Sequence, residues 1–252
     1  MSFEKQAGPD ERRAYDLFAR AGVPVPKVLS YDGSLLCLED LRASHASDWE
    51  KAEIMIDMAA DLHAAFWDNH EAFGAIGLPW RLDSAKNFEK HCRAMEKGVR
   101  PWCRAHGTDG EIFRDALAYL RGEMPKLLHE RLHAGKDITI LHGDLHPGNM
   151  LLPKENGEAV FIDLEAVRMG LGAEDLAMLL GLHLAPERER ALPLLERYHQ
   201  RLGRTDYAFE SLLADYKIAL AEGLFFPQKL YFNGIDDTEM MDRAITAWKG
   251  FV

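Results

Sequence analysis

Residues 138–163 constrain the fold of this chain most, because they interrupt a helical pattern with extended segments. The run Ile138–Leu141 is apolar or β-branched. The next eight residues, 142–149, are His-Gly-Asp-Leu-His-Pro-Gly-Asn, a loop by their glycine and proline content. Two more apolar runs follow, Met150–Leu152 and Ala159–Ile162, and the segment between them has turn composition. This region therefore predicts a short strand, a loop and a β-hairpin.

The predicted hairpin brings three oxygen-bearing side chains together. Asn149 precedes its first strand and Asp163 follows its second, and the two open ends of a hairpin lie side by side. Asp144 is one loop away, five residues before Asn149. A carboxylate and an amide are ligands that magnesium accepts when water and nucleotide phosphates supply the rest. The sequence therefore predicts a magnesium site at Asn149 and Asp163, next to Asp144.

The rest of the chain divides into a small mixed part, residues 1–41, and a large helical part, residues 42–252. The small part predicts a helix over Asp10–Ala21 and a strand pair that ends near Leu41. In the large part, we expect helices from about residue 48 and over 111–133, 174–183, 187–202, 207–224 and 237–250. The fold class is therefore α+β, with residues 1–41 as a partial N-terminal lobe.

Charge and cysteine content exclude several classes of protein. The chain has 41 acidic and 30 basic residues, a formal charge of −11, which disfavours nucleic-acid binding and suits a neutral or cationic small molecule. Cys37, Cys92 and Cys103 are too few and too irregular for a zinc site or disulfide framework, so we expect a cytoplasmic protein. The longest apolar stretch, Ala177–Ala185, is interrupted by His183 and too short to span a membrane. The sequence does not indicate an oligomeric state.

Asp144 and Asn149 have the spacing of the protein-kinase catalytic loop, His-Arg-Asp-x-x-x-x-Asn. In that pattern the aspartate accepts the proton of the acceptor hydroxyl, and the asparagine binds a metal ion. Asp144 is thus the candidate base, and His142 takes the position of the leading histidine. An ordinary carboxylate suffices here, because phosphoryl transfer depends mainly on positioning and charge neutralisation.

The string 142–149, followed by Ile162-Asp-Leu-Glu165 and Glu174-Asp-Leu-Ala177, resembles the aminoglycoside phosphotransferase and choline kinase group of small-molecule kinases. The resemblance covers most of the chain, and Leu62–Trp67 is similar to a helix of the ecdysteroid-kinase-like branch. It implies a protein-kinase-like fold with a shortened N-terminal lobe and a large, mainly α-helical C-terminal lobe. It also implies an enzyme that uses ATP and Mg²⁺ to phosphorylate a hydroxyl group of a small molecule.

The same resemblance implies roles for residues outside the hairpin. The segment 36–41 resembles the hinge whose backbone meets adenine, which makes four of its residues nucleotide-binding candidates: Leu38, Glu39, Asp40 and Leu41. Glu11 would pair with the ATP-binding lysine, and Lys5 is the only lysine upstream of it. Asp175 would brace the catalytic loop from the start of a helix.

Two other functions fit parts of the sequence. Only ten residues precede Glu11, so we expect this chain to lack the glycine-rich hairpin of such kinases. Loss of the phosphate-facing amides of that hairpin would reduce the rate by about 10²–10³. A weak or inactive pseudokinase that binds nucleotide is therefore one alternative. A metal-dependent hydrolase that uses His142, Asp144, His146 and Asp163 is another, and it would hold zinc, manganese or iron without nucleotide.

Some of these residues also have purely structural interpretations. His63, on the apolar face of a predicted helix, fits a core histidine whose nitrogens are hydrogen-bonded. The simplest role of His146 is to shape the loop by hydrogen bonding, and Asp175 fits a helix cap. Without the resemblance, Glu11 is one charge among several, and Glu39 belongs to the polar end of a strand.

Overall fold

A three-stranded antiparallel sheet and one helix form the N-terminal part of the protein, as seen in a computed structural model. The strands are β1 (Ser2–Gln6), β2 (Val28–Tyr31) and β3 (Leu35–Glu39), in the order β1-β3-β2. The structure describes residues 2–41, 44–45, 51–76, 84–152 and 159–252. Strand β1 was not predicted, and within these residues it forms one edge of the sheet.

Helix α1 (Pro9–Arg20) packs one face against the turn Leu164–Ala166, which follows the hairpin. Proline at its first position and Asp10 and Glu11 in its first turn are typical of a helix start, where acidic groups face the positive end of the dipole. Its buried residues recur at intervals of one, three and four: Glu11, Ala14, Tyr15 and Phe18. Glu11 is the exception in this apolar face, and its burial requires a partner.

The remainder is mainly helical, as the sequence predicts. Nine further α-helices lie within the described residues: α2 (Ala52–Phe66), α3 (His70–Ile76), α4 (Ala85–His106), α5 (Glu111–Leu127), α6 (Gly172–Leu176), α7 (Arg188–Leu202), α8 (Phe209–Gly223), α9 (Phe226–Phe232) and α10 (Thr238–Phe251). Two π-helices, Leu128–Leu132 and Ala177–Leu184, continue α5 and α6. In the described part of the chain, no helix has both the length and the apolar character needed to cross a bilayer.

Short strands flank the loop formed by residues 142–149. The predicted hairpin is confirmed as β6 (Met150–Leu152) and β7 (Val160–Phe161), in which Met150 pairs with Phe161. Strand β4 (Ser44–His45) adds to the other side of β6. The strand before the loop, β5 (Thr139–Leu141), instead pairs with β8 (Arg168–Gly170). The loop between β5 and β6 thus passes from one small sheet to another.

The turn of the hairpin, 153–158, lies outside the described residues, as does the predicted helix start near residue 48. The predicted boundary between residues 1–41 and 42–252 also falls beside undescribed residues and stays a prediction.

Helices α2 and α7 are joined on their exposed side by a network of ion pairs. Arg197 donates to Asp57 at 2.7 and 2.8 Å and to Glu53 at 2.7 Å, and Arg201 donates to Asp61 at 2.6 and 2.7 Å. A single exposed ion pair contributes about 0–1 kcal/mol to the free energy of unfolding. Two bidentate arginine contacts in one network also fix the register of the two helices.

Candidate active site

A buried carboxylate braces the loop that follows β5. Asp175, in α6, accepts hydrogen bonds from the backbone N–H groups of His142 (2.8 Å) and Gly143 (2.9 Å). The Nε2 atom of His63 lies 3.2 Å from the same carboxylate, and its Nδ1 lies 2.8 Å from the hydroxyl of Tyr198. Burial alone raises a carboxyl pKa, but the hydrogen bond and charge of His63 outweigh it and keep the pKa of Asp175 below its usual value. The bracing role of Asp175 and the core role of His63 are thus both seen in the structure.

Gly143 occupies a position that only glycine fits. Its φ is +84°, and a Cβ atom there would lie 2.0 Å from the carbonyl oxygen of Ala166. Arg168 donates to the Gly143 carbonyl at 2.9 Å and to Glu174 at 2.9 Å, and so ties the loop to β8. Sequence reasoning missed Arg168, since an arginine in a short strand carries no distinguishing signal.

The side chains of Asp144, His146 and Asn149 lie together at the open side of the loop. Asn149 donates its amide N–H groups to the Asp144 carbonyl (2.9 Å) and to Asp144 Oδ2 (3.2 Å). His146 accepts from the Gly148 N–H through Nδ1 (3.0 Å), which assigns its proton to Nε2, 3.7 Å from the same Oδ2. The contact with His146 is the main reason that the pKa of Asp144 is lowered. No hydrogen bond reaches Asp144 Oδ1 from any residue that the structure describes.

His142 lies beneath the loop rather than at its surface. Its ring is fully buried, and its Nε2 donates to the carbonyl of Ile162 at 2.9 Å. Burial lowers its pKa, so the ring is neutral, and Nδ1 is buried with no partner among the described residues. His142 therefore links the loop to the end of β7, directly before Asp163.

Asp163 joins the hairpin to the N-terminal part of the protein. Its backbone is in the left-handed region (φ 60°, ψ 64°), which a residue other than glycine adopts only under external constraint. Tyr15 of α1 accepts from its N–H at 3.3 Å, and Lys5 of β1 lies 2.5 Å from its Oδ1. Lys5 also lies 2.8 Å from Glu11, so the short gap between these two residues still permits their ion pair.

These charges form one partly buried group. Burial opposes the charge of Lys5, but Asp163 and Glu11 outweigh it and raise the pKa of Lys5. Burial raises the pKa of Glu11, against the effect of Lys5. Ligand oxygens of Glu11, Asp163 and Glu165 lie within 4.8 Å of one another. Sequence reasoning missed Glu165, although its position two residues after Asp163 was a usable signal.

The predicted hinge, residues 36–41, overlaps the end of β3 and extends two residues beyond it. Leu38 is buried and pairs with Phe3 of β1, and Glu39 accepts from the Lys27 N–H through its side chain at 2.8 Å. Asp40 and Leu41 come directly after the strand. The structure thus brings Lys5, Glu11 and Asp163 into contact, and Asp144 into contact with Asn149, while the hinge residues lie at the end of a strand neighbouring that of Lys5.

Comparisons with solved structures show the same fold over almost the whole chain. A Plasmodium vivax ethanolamine kinase is 12% identical and has a TM-score of 0.62, with 99% of this chain and 75% of that chain covered. The choline kinase LicA of Streptococcus pneumoniae is 18% identical, with a TM-score of 0.59 and coverage of 99% and 85%. LicA in complex with AMP is 16% identical, with a TM-score of 0.60 and coverage of 100% and 85%. A search of curated proteins finds no match.

These similarities confirm the α+β kinase-like fold, with a small sheet-containing lobe and a large helical lobe. Assignment to the ecdysteroid-kinase-like branch stays a prediction. The model of the phosphotransferase enzyme family, APH, matches residues 3–213, most of the chain. The protein therefore belongs to the APH phosphotransferase family.

Proposed function

We propose that the protein transfers a phosphoryl group from ATP, with Mg²⁺, to a hydroxyl group of a small molecule. The observation that supports this most is that Lys5 contacts both Asp163 and Glu11, while Asn149 contacts Asp144 in the loop before the hairpin. This arrangement supplies a cation for phosphates, oxygen ligands for a metal ion and a carboxylate for the acceptor, which are the parts that phosphoryl transfer needs.

The oxygen atoms of Asn149 and Asp163 suit Mg²⁺. Asn149 uses its amide N–H groups on Asp144, which leaves its side-chain oxygen for a cation. Asp163 brings a carboxylate, and hard oxygen donors are what magnesium prefers. When bound, the ion would neutralise charge on the transferring phosphate. Lys5 would then leave Asp163 for a phosphate oxygen, while Glu11 keeps it oriented.

Asp144 is the base of this mechanism. Asn149 donates to its Oδ2, which also lies 3.7 Å from His146 Nε2, so Oδ1 is the atom that takes the proton of the acceptor hydroxyl. Its lowered pKa keeps it ionised at neutral pH. His142 acts as a positioning residue from beneath the loop, and Leu38, Glu39, Asp40 and Leu41 would meet adenine.

The histidines required by the hydrolase alternative are not placed to bind a metal ion. The lone pair of His146 Nδ1 accepts from the Gly148 N–H, and the Nδ1 atom of His142 is buried beneath the loop, so neither lone pair faces an open site for a metal ion.

Binding of Mg·ATP tests the proposal directly. A ligand at 100 times its Kd stabilises the folded state by about 2.7 kcal/mol, which raises Tm by about 5–10 °C for a chain of this size. We expect this shift with ATP and Mg²⁺ together and a smaller one with ATP alone, measured by differential scanning fluorimetry. Phosphate transfer is then measured as the release of ADP in the presence of a panel of hydroxyl compounds. Binding without any transfer would favour the pseudokinase, and no binding would exclude both.

Lys5→Met should reduce the rate of phosphate transfer by about 10²–10³, because one positioned cation at the phosphates is lost. The Kd for Mg·ATP, measured by calorimetry, should rise as well. Lys97→Met is the matched control, since Lys97 is exposed on α4 and distant in sequence from the site residues. Equal activity of the two variants would remove Lys5 from the mechanism.

We also expect the protein to act in the cytoplasm. All three cysteines are free thiols in the structure, which fits a reducing compartment.

A further inference from the structure

Among the residues that the structure describes, the hydroxyl of Tyr15 is hydrogen-bonded only to the candidate metal site. It accepts from the backbone N–H of Asp163 at 3.3 Å. The side chain of Tyr15 is almost fully buried, and α1 packs against the turn Leu164–Ala166. A buried hydroxyl group destabilises a protein unless it is hydrogen-bonded, and phenylalanine would fill the same space. The bond to Asp163 therefore accounts for tyrosine rather than phenylalanine at this position.

The backbone conformation of Asp163 requires such a contact. Its φ of 60° and ψ of 64° lie in the left-handed region, which costs free energy for a residue other than glycine. Asp68 has a similar φ of 53°, but its N–H donates to a backbone carbonyl, that of Ile138, at 2.9 Å. The N–H of Asp163 depends instead on one side-chain hydroxyl. Removal of a single oxygen atom from Tyr15 therefore tests what holds Asp163 in this conformation.

The helix and the end of the hairpin that this bond joins are each held by other contacts. On the helix, Phe18 packs against Phe66 of α2, with 5.6 Å between the ring centroids. On the hairpin, the N–H of Ile162 donates to the Asn149 carbonyl at 3.0 Å, and the Ile162 carbonyl accepts from His142 at 2.9 Å. Because both sides are anchored, the bond between them restrains the backbone.

Helix α1 contacts Asp163 at two points, one helical turn apart. Glu11 reaches the carboxylate through Lys5, whose Nζ lies 2.8 Å from Glu11 and 2.5 Å from Asp163. Tyr15 reaches the backbone. In the proposed reaction Lys5 leaves Asp163 for a phosphate oxygen, so the first contact is lost when nucleotide binds. The hydrogen bond to Tyr15 then keeps α1 connected to Asp163.

We propose that Tyr15 is a positioning residue for the metal site: its hydroxyl keeps the backbone of Asp163 in the left-handed region, so that the carboxylate stays in place for Mg²⁺ after Lys5 has moved to the nucleotide. This inference rests on the proposed kinase function. A ligand that is already held in its binding conformation loses less conformational entropy when binding occurs. Loss of the hydroxyl should therefore weaken the binding of nucleotide with Mg²⁺, and not the binding of nucleotide alone.

Tyr15→Phe removes the hydroxyl and keeps the ring. Calorimetry on the full chain gives the Kd of a non-hydrolysable ATP analogue with and without Mg²⁺. We expect the Kd with Mg²⁺ to rise about three- to tenfold, the effect of one lost hydrogen bond, and the Kd without Mg²⁺ to stay the same. Tyr31→Phe is the matched control, because the Tyr31 hydroxyl donates to the Gly33 carbonyl, in its own turn, at 2.9 Å. This variant should leave both dissociation constants unaltered.

Amide exchange, measured by NMR, gives a readout that a role in packing alone would not change. The N–H of Asp163 should be protected in the wild type and should exchange faster in Tyr15→Phe. The N–H of Asp68 donates to a backbone carbonyl and is the internal reference, which should not change. Melting curves check that Tyr15→Phe folds. If it does not, the protection of the Asp163 amide in the wild type decides whether the bond exists.

Three results would overturn the inference: an unchanged Kd with Mg²⁺ in Tyr15→Phe, equal losses of affinity with and without Mg²⁺, or an unprotected Asp163 amide in the wild type. A loss that depends on Mg²⁺, in a protein that transfers no phosphate to any hydroxyl compound, would support the inference and contradict the proposed reaction. Phosphate transfer and Kd that are the same in the wild type and Tyr15→Phe would do the reverse. A wild type that binds the analogue no better with Mg²⁺ would contradict both.

Discussion

Replacing Asp144 by asparagine should reduce the rate of phosphate transfer by about 10²–10⁴, the usual contribution of a positioned general base. Asparagine has nearly the same shape, but its amide cannot take the proton of the acceptor hydroxyl at the position of Oδ1. In the wild type, the other oxygen of Asp144, Oδ2, accepts from Asn149 and lies 3.7 Å from His146 Nε2. The loss should therefore fall on kcat, measured by steady-state kinetics with ADP detection.

Nucleotide binding provides the control for this variant. Asp144 has no contact with Lys5 or Glu11 among the described residues, so the Kd for Mg·ATP should change little. Asp115→Asn, on the exposed side of α5, is the matched substitution and should leave kcat and Kd unaltered. A variant at Asp144 that keeps its kcat would exclude this residue as the base.

Asp175→Ala should destabilise the protein by about 3–5 kcal/mol, as expected when a buried, hydrogen-bonded carboxylate is removed. The two backbone N–H groups of His142 and Gly143 would lose their acceptor, and His63 would lose its partner. The residue is only 1% exposed, so water does not readily replace the carboxylate. Urea unfolding, followed by circular dichroism, gives the free energy of unfolding directly.

The kcat of a second variant at position 175 distinguishes a role in bracing the loop from a role in packing the core. Asp175→Asn keeps one acceptor oxygen and nearly the same volume, so it should recover part of the stability. Its kcat should still fall, because one loop N–H group would face the amide NH₂ instead of an acceptor oxygen and the other would keep only a neutral acceptor. Normal kcat in a stable Asp175→Asn variant would show that the carboxylate supports only the core.

The hairpin was predictable because its determinants are close in sequence, and the candidate site was proposed from the same local signals. Turn composition, short β-like runs and a five-residue spacing placed Asp144, Asn149 and Asp163 together without knowledge of the rest of the chain. Most helices were predicted for the same reason, from their local periodicity. Local periodicity does not show which side chains of a helix face the core: in α2, Ile54 is 44% exposed, whereas Ile56 is fully buried.

The features that sequence reasoning missed depend on distant residues or on weak patterns. Lys5 and Asp163 are 158 positions apart, and β1 and β8 are strands only because β3 and β5 pair with them. Such strands are defined by tertiary contacts, which a single sequence does not display. Helix α4, at 22 residues the longest that the structure describes, is an exception: its apolar residues Phe88, Cys92, Met95, Val99 and Trp102 recur at helical intervals, so its periodicity was a usable signal.

His63 of α2 contacts Asp175 and is itself hydrogen-bonded to Tyr198 of α7. On their outer faces, the same two helices are joined by the ion pairs of Arg197 and Arg201. The loop bearing the chemistry is therefore anchored to a cooperative unit of the large lobe and cannot fray by itself. In a hydrogen-exchange experiment, the amides of His142 and Gly143 would be protected to the same degree as the interior of these two helices. We therefore expect the start of this loop to exchange as slowly as the interior of the large lobe, unlike a mobile surface loop.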